Sequence, residues 1–206
     1  MSLVRVVSGL PVRADAPATQ SVIPAQTRRS TATLGGALFV GAQVVAVLAM
    51  VGALLALRQN AKTWIPEDAR IDDYIGGTVA LTTLLAAAAS WWPATALRRD
   101  DRRYLGIGMA FTVLFGLAAL NVLVWGIADL NVGAADGAYG SIVLGLLGTF
   151  AVVMAIGVAV GTVGLVRTVG GLTGARQGEL AVAVAVQWTA LAALALVVWY
   201  IVWIYV

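Results

Sequence analysis

Four neutral polar side chains interrupt long apolar stretches of the sequence, and they are its candidates for buried chemistry. Each lies about one-third of a stretch away from the end that is predicted below to be cytoplasmic; the four residues are Gln43, Ser90, Thr112 and Gln187. If the stretches are helices that rise about 1.5 Å per residue, all four lie about 12 Å from that end. We therefore predict a polar layer in which Gln43 and Gln187 bridge two helices. The alternative is that each amide hydrogen-bonds the backbone of its own helix.

Ionisable side chains are missing from these apolar stretches, and the chain has no His and no Cys. This excludes Cys/His zinc sites, iron–sulfur clusters, thiol catalysis, disulfides, His-ligated haem and the Ser-His-Asp arrangement. Proton relays and ion-coupled transport in membranes use buried ionisable groups, so we expect neither within these stretches. We predict no catalytic residue, no cofactor-binding residue and no metal ligand in the chain.

The elements that hold these polar residues are predicted to be membrane-spanning helices. The sequence is 61% hydrophobic and only 11% charged, whereas a soluble domain carries about 25% charged residues. About 20 apolar residues in a helix cross the bilayer core, and the absence of a two-residue alternation argues against a β-barrel. The fold class is therefore an all-α integral membrane bundle of five transmembrane helices. The predicted spans are 35–57, 75–97, 104–128, 139–166 and 180–206.

The positions of the charges predict the orientation of the helices. Of the 13 basic residues, 10 fall in the N-terminal segment, in loop 98–103 and in loop 167–179. By the positive-inside rule, the N-terminus is cytoplasmic and the C-terminus is outside. Because the basic residues occupy short loops between apolar stretches, they indicate topology and no nucleic-acid partner. Residues 1–33 are polar and predict a flexible cytoplasmic arm, followed by a membrane domain over residues 34–206.

Glycines and aromatic residues suggest how the helices pack. Gly157 and Gly161 form a GxxxG motif, which allows a close approach between helices. Most Trp and Tyr residues fall near the ends of the spans, where they are predicted to anchor the bundle at the membrane interfaces. Trp188 lies well inside a span, and we expect it to pack in the core.

Short motifs along residues 36–205 resemble those of one known family, subunit III of the haem–copper terminal oxidases (cytochrome c oxidase), in its five-helix bacterial form. Leu38-Phe39-Val40-Gly41-Ala42-Gln43 is similar to a first-helix pattern that ends in Ser-Glu. The other similar segments are Leu57-Arg58, Trp64-Ile65-Pro66, Ala96-Leu97-Arg98-Arg99, Asn121, Val124-Trp125, Tyr139-Gly140-Ser141, Gly148, Gly157 and Trp188. The resemblance identifies the chain as a divergent member of this family.

The departures from the family pattern all remove ionisable side chains. Gln43 and Val124 stand where the family usually has Glu. Its two fourth-helix histidines would fall on Phe150 and Val153, and a His and an Asp would fall on Thr189 and Ala192. The resemblance therefore implies no proton-handling role through these positions.

The resemblance implies a non-catalytic subunit of a respiratory terminal oxidase in the bacterial plasma membrane. Such a subunit packs on and stabilises the haem-bearing subunit I, contacts other subunits of the complex and holds phospholipid. Haem and copper are expected in the partner subunits, and none is expected to bind this chain directly. Two alternatives stay open: a stand-alone small-solute transporter or channel with an uncharged pore, and a scaffold subunit of another membrane complex.

Overall fold

Five long helices make up nearly all of the computed structural model, which describes residues 25–61, 64–66, 69, 72–96, 102–171 and 175–205. No β-strand occurs in these ranges. The last helix continues without a break as a π-helical segment, Tyr200–Tyr205. The helices are α1 Ala25–Asn60, α2 Asp73–Ala96, α3 Arg102–Asp129, α4 Gly137–Val169 and α5 Ala175–Trp199.

Each of the five helices is long and apolar enough to cross a membrane. The candidate spans contain 24 to 33 residues, and a helix of 20 residues already covers a bilayer core of about 30 Å. The prediction of an all-α bundle of five membrane-spanning helices is confirmed, and the chain is a multi-pass membrane protein by the length and composition of these helices.

Helix α1 begins within the predicted N-terminal arm, residues 1–33. Its first residue is Ala25, while the part of it that is long and apolar enough to span a membrane is Leu34–Asn60. The segment from Ala25 to Thr33 contains Ala, Gln and Arg, which favour helix, and a helix does not have to stop where its sequence becomes polar. Residues 1–24 lie outside the described residues, as do loop residues 97–101 and 172–174.

The helices do not all pack against one another. Helix α2 packs on α3 and α5, while α4 packs on α1, α3 and α5. Helix α1 has its main contacts with α4 and α5. The α2–α3 pair is close because Gly108 has no side chain: a Cβ atom there would lie 2.6 Å from Cδ of Pro93. Helix α2 continues through Pro93 as far as Ala96.

The alternating direction of the helices gives the bundle two distinct ends. At one end, α1, α3 and α5 finish and α2 and α4 begin; we call it the Tyr139 end. At the other, α2 and α4 finish and α3 and α5 begin, and we call it the Pro93 end. The four polar residues of the predicted layer lie nearer the Pro93 end.

Candidate functional site

The two buried glutamines form a direct contact between helices. Nε2 of Gln187 on α5 donates a hydrogen bond to Oε1 of Gln43 on α1 over 2.6 Å. Both side chains are at least nine-tenths buried. The prediction that Gln43 and Gln187 bridge two helices is therefore confirmed, in place of the alternative in which each amide bonds its own helix. Nε2 of Gln43 has no hydrogen-bond partner among the described residues.

Ser90 and Thr112 do not join this pair, although both are buried. The hydroxyl of Ser90 donates to the carbonyl of Ala87 over 2.6 Å, and that of Thr112 donates to the carbonyl of Gly108 over 2.9 Å. Short hydroxyl side chains in helices commonly bond the carbonyl three or four residues back. The predicted four-residue layer therefore consists of one hydrogen-bonded glutamine pair and two hydroxyls that each bond their own helix.

Beside the glutamine pair, Trp188 fills a space lined by glycines. Its ring is fully buried, and a Cβ atom at Gly116 of α3 would overlap it. On α4, a Cβ atom at Gly157 would lie 2.8 Å from Leu191 Cδ1 and 3.7 Å from the Trp188 ring. A Cβ atom at Gly161 would lie 3.3 Å from Val113. The GxxxG pair of α4 therefore receives large side chains from α5 and α3.

A second interhelical hydrogen bond was missed by the sequence analysis. Nε1 of Trp91 on α2 donates to the hydroxyl of Thr189 on α5 over 3.0 Å. That hydroxyl in turn donates to the carbonyl of Ala185. The sequence assigned Trp91 to the interfacial belt, and no local pattern pointed to Thr189 as its partner.

Apart from Gln43 and Thr189, the positions at which the oxidase subunit III family carries ionisable residues hold apolar side chains in this chain. Phe150, Val153 and Ala192 are buried in the hydrophobic core. Val124 is exposed on the surface of α3. These four positions contribute packing or apolar surface.

A cleft at the Tyr139 end is a second candidate site. It has a volume of about 290 Å³ and lies between the loop after α1 and the start of α4. The lining residues are Ala61, Trp64, Ile65, Pro66, Asp136, Gly137, Ala138 and Tyr139.

The turn before α4 shapes one wall of this cleft. The amide of Gly133 donates to Oδ2 of Asp136 over 2.6 Å, and the amide of Asp136 donates back to the carbonyl of Gly133 over 3.1 Å. Gly137 has a φ of 93°, a conformation that glycine adopts without steric cost. This turn leads directly into Tyr139.

The Tyr139-Gly140-Ser141 motif closes this turn onto the helix. A Cβ atom at Gly140 would overlap the carbonyl oxygen of Gly133, so glycine is required by the close approach of the loop. The hydroxyl of Ser141 donates to the carbonyl of Ala134 over 2.8 Å. Tyr139 itself lines the cleft. Each residue of the motif therefore has a distinct structural role.

Hydrogen-bond donors without partners are concentrated at this end of the bundle. The rings of Trp64 and Tyr139 meet edge to face with centroids 5.6 Å apart. Nε1 of Trp64, Nε1 of Trp199 and the hydroxyl of Tyr139 are buried and lack a hydrogen-bond partner among the residues that the structure describes. The guanidinium of Arg58 lies 4.2 Å above the ring of Tyr205, and its Nη1 likewise has no partner in the described ranges.

The predicted aromatic belt is only partly a lipid-facing belt. Tyr74, Trp91, Trp92 and Trp125 are exposed as expected. Tyr139 and Trp203 are buried, and Trp203 packs where a Cβ atom at Gly76 would lie. The position of an aromatic residue near a helix end does not show whether its ring points toward lipid or into the bundle, because both orientations occur at the same distance from the helix end.

The two sites support binding and packing more readily than catalysis. Amides, hydroxyls and indoles donate hydrogen bonds but do not ionise near neutral pH, and Asp136 supplies a carboxylate at the cleft. In the described ranges, no three Asp or Glu side chains are grouped so that they could hold a metal ion. No model of a known protein family matches the sequence, and no curated protein matches it. The fold and the two sites together define a five-helix membrane protein with a glutamine-bridged interior.

Proposed function

We propose that the chain is a non-catalytic, subunit III-like component of a respiratory terminal oxidase in the bacterial plasma membrane. It packs on the haem-bearing subunit, stabilises it and holds phospholipid, while haem and copper reside in the partner subunits. The Tyr139 end faces outward and the N-terminus is cytoplasmic, as the distribution of basic residues favours.

The observation that supports this proposal is that segments resembling the family meet in space. Trp64 of the Trp64-Ile65-Pro66 segment contacts Tyr139 of the Tyr139-Gly140-Ser141 segment, 75 positions later in the sequence. Gln43, at the position of the family's Glu, is bonded to Gln187 next to Trp188. Short similarities that are scattered by chance would not be expected to pair in this way.

Helix α1 offers the surface on which we place the partner subunit. In its most apolar 18-residue stretch only 22% of the residues are buried, against 39–56% in the other four helices. Its uncovered face carries large apolar side chains, among them Leu38, Val45 and Leu48. A partner helix packed there would remove much of this surface from lipid.

The test is purification of the tagged full-length chain in mild detergent, followed by a reduced-minus-oxidised absorption spectrum. We expect haem bands and a large co-purifying membrane subunit in fixed ratio to the chain. A colourless chain without partners would overturn the proposal and favour the transporter alternative. Partners without haem would instead favour a scaffold role in another complex.

The placement of the partner on α1 has its own test. A photo-crosslinking amino acid at Leu48 on α1 should capture the haem-bearing subunit. The matched control carries the same group at Leu114 on α3, which is also exposed and should react mainly with lipid. Capture from Leu114 and not from Leu48 would overturn the α1 placement.

A further inference from the structure

Helix α3 carries a polar side chain, Asn121, on the face that it exposes to the membrane. We propose that this face binds the same face of a second copy of the chain, and that the two Asn121 amides hydrogen-bond each other across a two-fold axis. The inference concerns α3 and needs only that the chain spans a membrane. It is therefore separate from the placement of a haem-bearing subunit on α1.

The amide of Asn121 lacks the hydrogen bond that other polar side chains of the helices make with their own backbone. Thr112 on α3 and Asn60 on α1 both donate to the carbonyl four residues back. Asn121 makes no such bond with any residue in the described ranges. A polar group without a partner in hydrocarbon costs free energy, because lipid tails offer neither a donor nor an acceptor. The amide of Asn121 therefore calls for a partner from outside the chain.

The depth of Asn121 excludes the lipid headgroups as that partner. Helix α3 ends at Asp129, and eight residues of helix place Asn121 about 12 Å from this end. The helix is about 42 Å long at 1.5 Å per residue, so Asn121 lies inside a centred bilayer core of about 30 Å. Only one methylene group joins the amide to the backbone, so the amide stays at this depth. Its partner must come from a polypeptide within the membrane.

The exposed residues around Asn121 have the spacing of a helix–helix interface. Leu117, Val124 and Ala128 are exposed like Asn121, and the four positions alternate by four, three and four residues, as the a and d positions of a coiled coil do. At 3.6 residues per turn, the buried Leu123 lies on the opposite side of the helix. Asn121 is thus at an a position on the side of α3 that faces away from the bundle.

This face complements itself, and the occupant is therefore a second copy. Copies in one membrane have the same orientation, so a two-fold axis along the membrane normal makes their α3 helices parallel. In a parallel pair, each a or d residue meets its own counterpart. Residues 117–128 contain no charged side chain that would repel the same segment of the second copy.

The amide fits this symmetric arrangement better than any other arrangement of equal polarity. A carboxamide has two donor hydrogens and an acceptor oxygen, so each Asn121 can donate to the other across the axis. Polar side chains join membrane helices in this way. A single Asn at an a position also fixes the register and the number of strands in coiled coils, and Asn121 supplies the same constraint here.

Disulfide cross-linking in membranes tests the contact, since the chain has no Cys of its own. Val124→Cys places a thiol where it meets its counterpart, and oxidation with copper phenanthroline should give a product of two chains. Leu81→Cys is the matched control, because Leu81 is exposed on α2 near the same end of the bundle; it should stay monomeric. Equal cross-linking of both variants would overturn the proposal. A product with a different polypeptide would overturn the second copy as the occupant.

Asn121→Leu tests the amide. Energy transfer between labelled full-length chains, with any co-purifying subunits, is followed in vesicles as the protein is diluted with lipid. The midpoint of dimer dissociation should move about tenfold toward higher protein density, as expected for the loss of hydrogen bonds between membrane helices. Asn121→Gln keeps the carboxamide and should retain most of the dimer.

Asn60→Leu is the control for this measurement, because it removes an amide that is bonded within its own helix. It should leave the midpoint unchanged. An unchanged midpoint in Asn121→Leu, or an equal shift in Asn60→Leu, would overturn the pairing of the amides. Neither experiment requires haem, so their failure is distinguishable from failure of the oxidase role.

Discussion

The polar groups of the interior and those of the Tyr139 end differ in where their hydrogen bonds go. In the interior, Ser90 and Thr112 bond their own helices, and Gln187 bonds Gln43. At the Tyr139 end, the indole nitrogen of Trp64 and the hydroxyl of Tyr139 are buried and have no hydrogen-bond partner in the part of the chain that the structure describes, and both residues line the cleft.

This difference affects the stability of the two regions. A side chain whose hydrogen bonds are all made within the chain stabilises the fold and has no free donor or acceptor for a ligand. A buried donor that is left unpaired lowers stability until something binds it. In the described part of the chain, the interior also contains two nitrogens without a hydrogen-bond partner, on Gln43 and Trp188. The Trp188 ring lies against Gly116, Gly157 and Gly161.

The largest effect is expected from removing the ring at the centre of the interior. Trp188→Ala should destabilise the folded chain by about 3–5 kcal/mol, because it leaves a cavity between three helices. Unfolding in bicelles measures this. Trp125→Ala, which removes an exposed ring, should stay within about 0.5 kcal/mol. Similar losses in both variants would mean that Trp188 does not organise the interior.

Overfilling the same space should have the next largest effect. Gly116→Ala places a Cβ atom into the Trp188 ring and should cost about 1–3 kcal/mol. Adding Trp188→Phe should recover part of that loss, because the smaller ring vacates the overlap. The control is Gly148→Ala, where the space is open and the better helix propensity of alanine should prevail. Equal stability of the two alanine variants would contradict the packing described for α3, α4 and α5.

Tyr139→Phe tests the other side of the comparison through stability. In lipid-free detergent it should cost nothing, because the hydroxyl has no partner to lose. Tyr74→Phe, the same change on an exposed tyrosine, is the control, and the free energies of unfolding of the two variants are measured in the same detergent. A loss of about 1 kcal/mol in Tyr139→Phe alone would show that the hydroxyl is bonded within the protein.

The smallest effect is expected at the glutamine pair. A double-mutant cycle with Gln43→Leu and Gln187→Leu should give a coupling free energy of about 0.6 kcal/mol, the average for hydrogen bonds between membrane helices. Replacing Gln43→Leu by Thr112→Val in the cycle should remove the coupling, since Thr112 bonds only its own helix. A coupling near zero for the glutamines would show that their contact is incidental.

Much of the fold could be predicted because the ability of a segment to span a bilayer depends only on its own length and composition. Each apolar stretch meets the length requirement by itself, so five helices follow without knowledge of their neighbours. The depth of Gln43 and Gln187 could also be predicted, because depth along a helix is proportional to residue number. The start of α1 could not, because helix propensity continues past the membrane boundary into a polar segment.

The cleft could not be predicted because its two donors lie far apart in the chain. Trp64 belongs to a loop and Tyr139 to a helix start, and each fits the description of an interfacial aromatic residue. The Asp136-Gly137 turn before Tyr139 was a visible local signal, but nothing in it pointed to Trp64. Only the packing of α1 against α4 brings the two rings together.

Membrane location, the number of helices and the absence of acidic and basic side chains from the predicted spans all follow from the sequence. These properties depend on composition and on segment length, which are local. Helix packing determines that two glutamines pair while two hydroxyls do not, and that Tyr139 is buried. Those outcomes depend on which helix faces are adjacent, and helix adjacency is set by the packing of Trp188, Pro93 and the glycines opposite them.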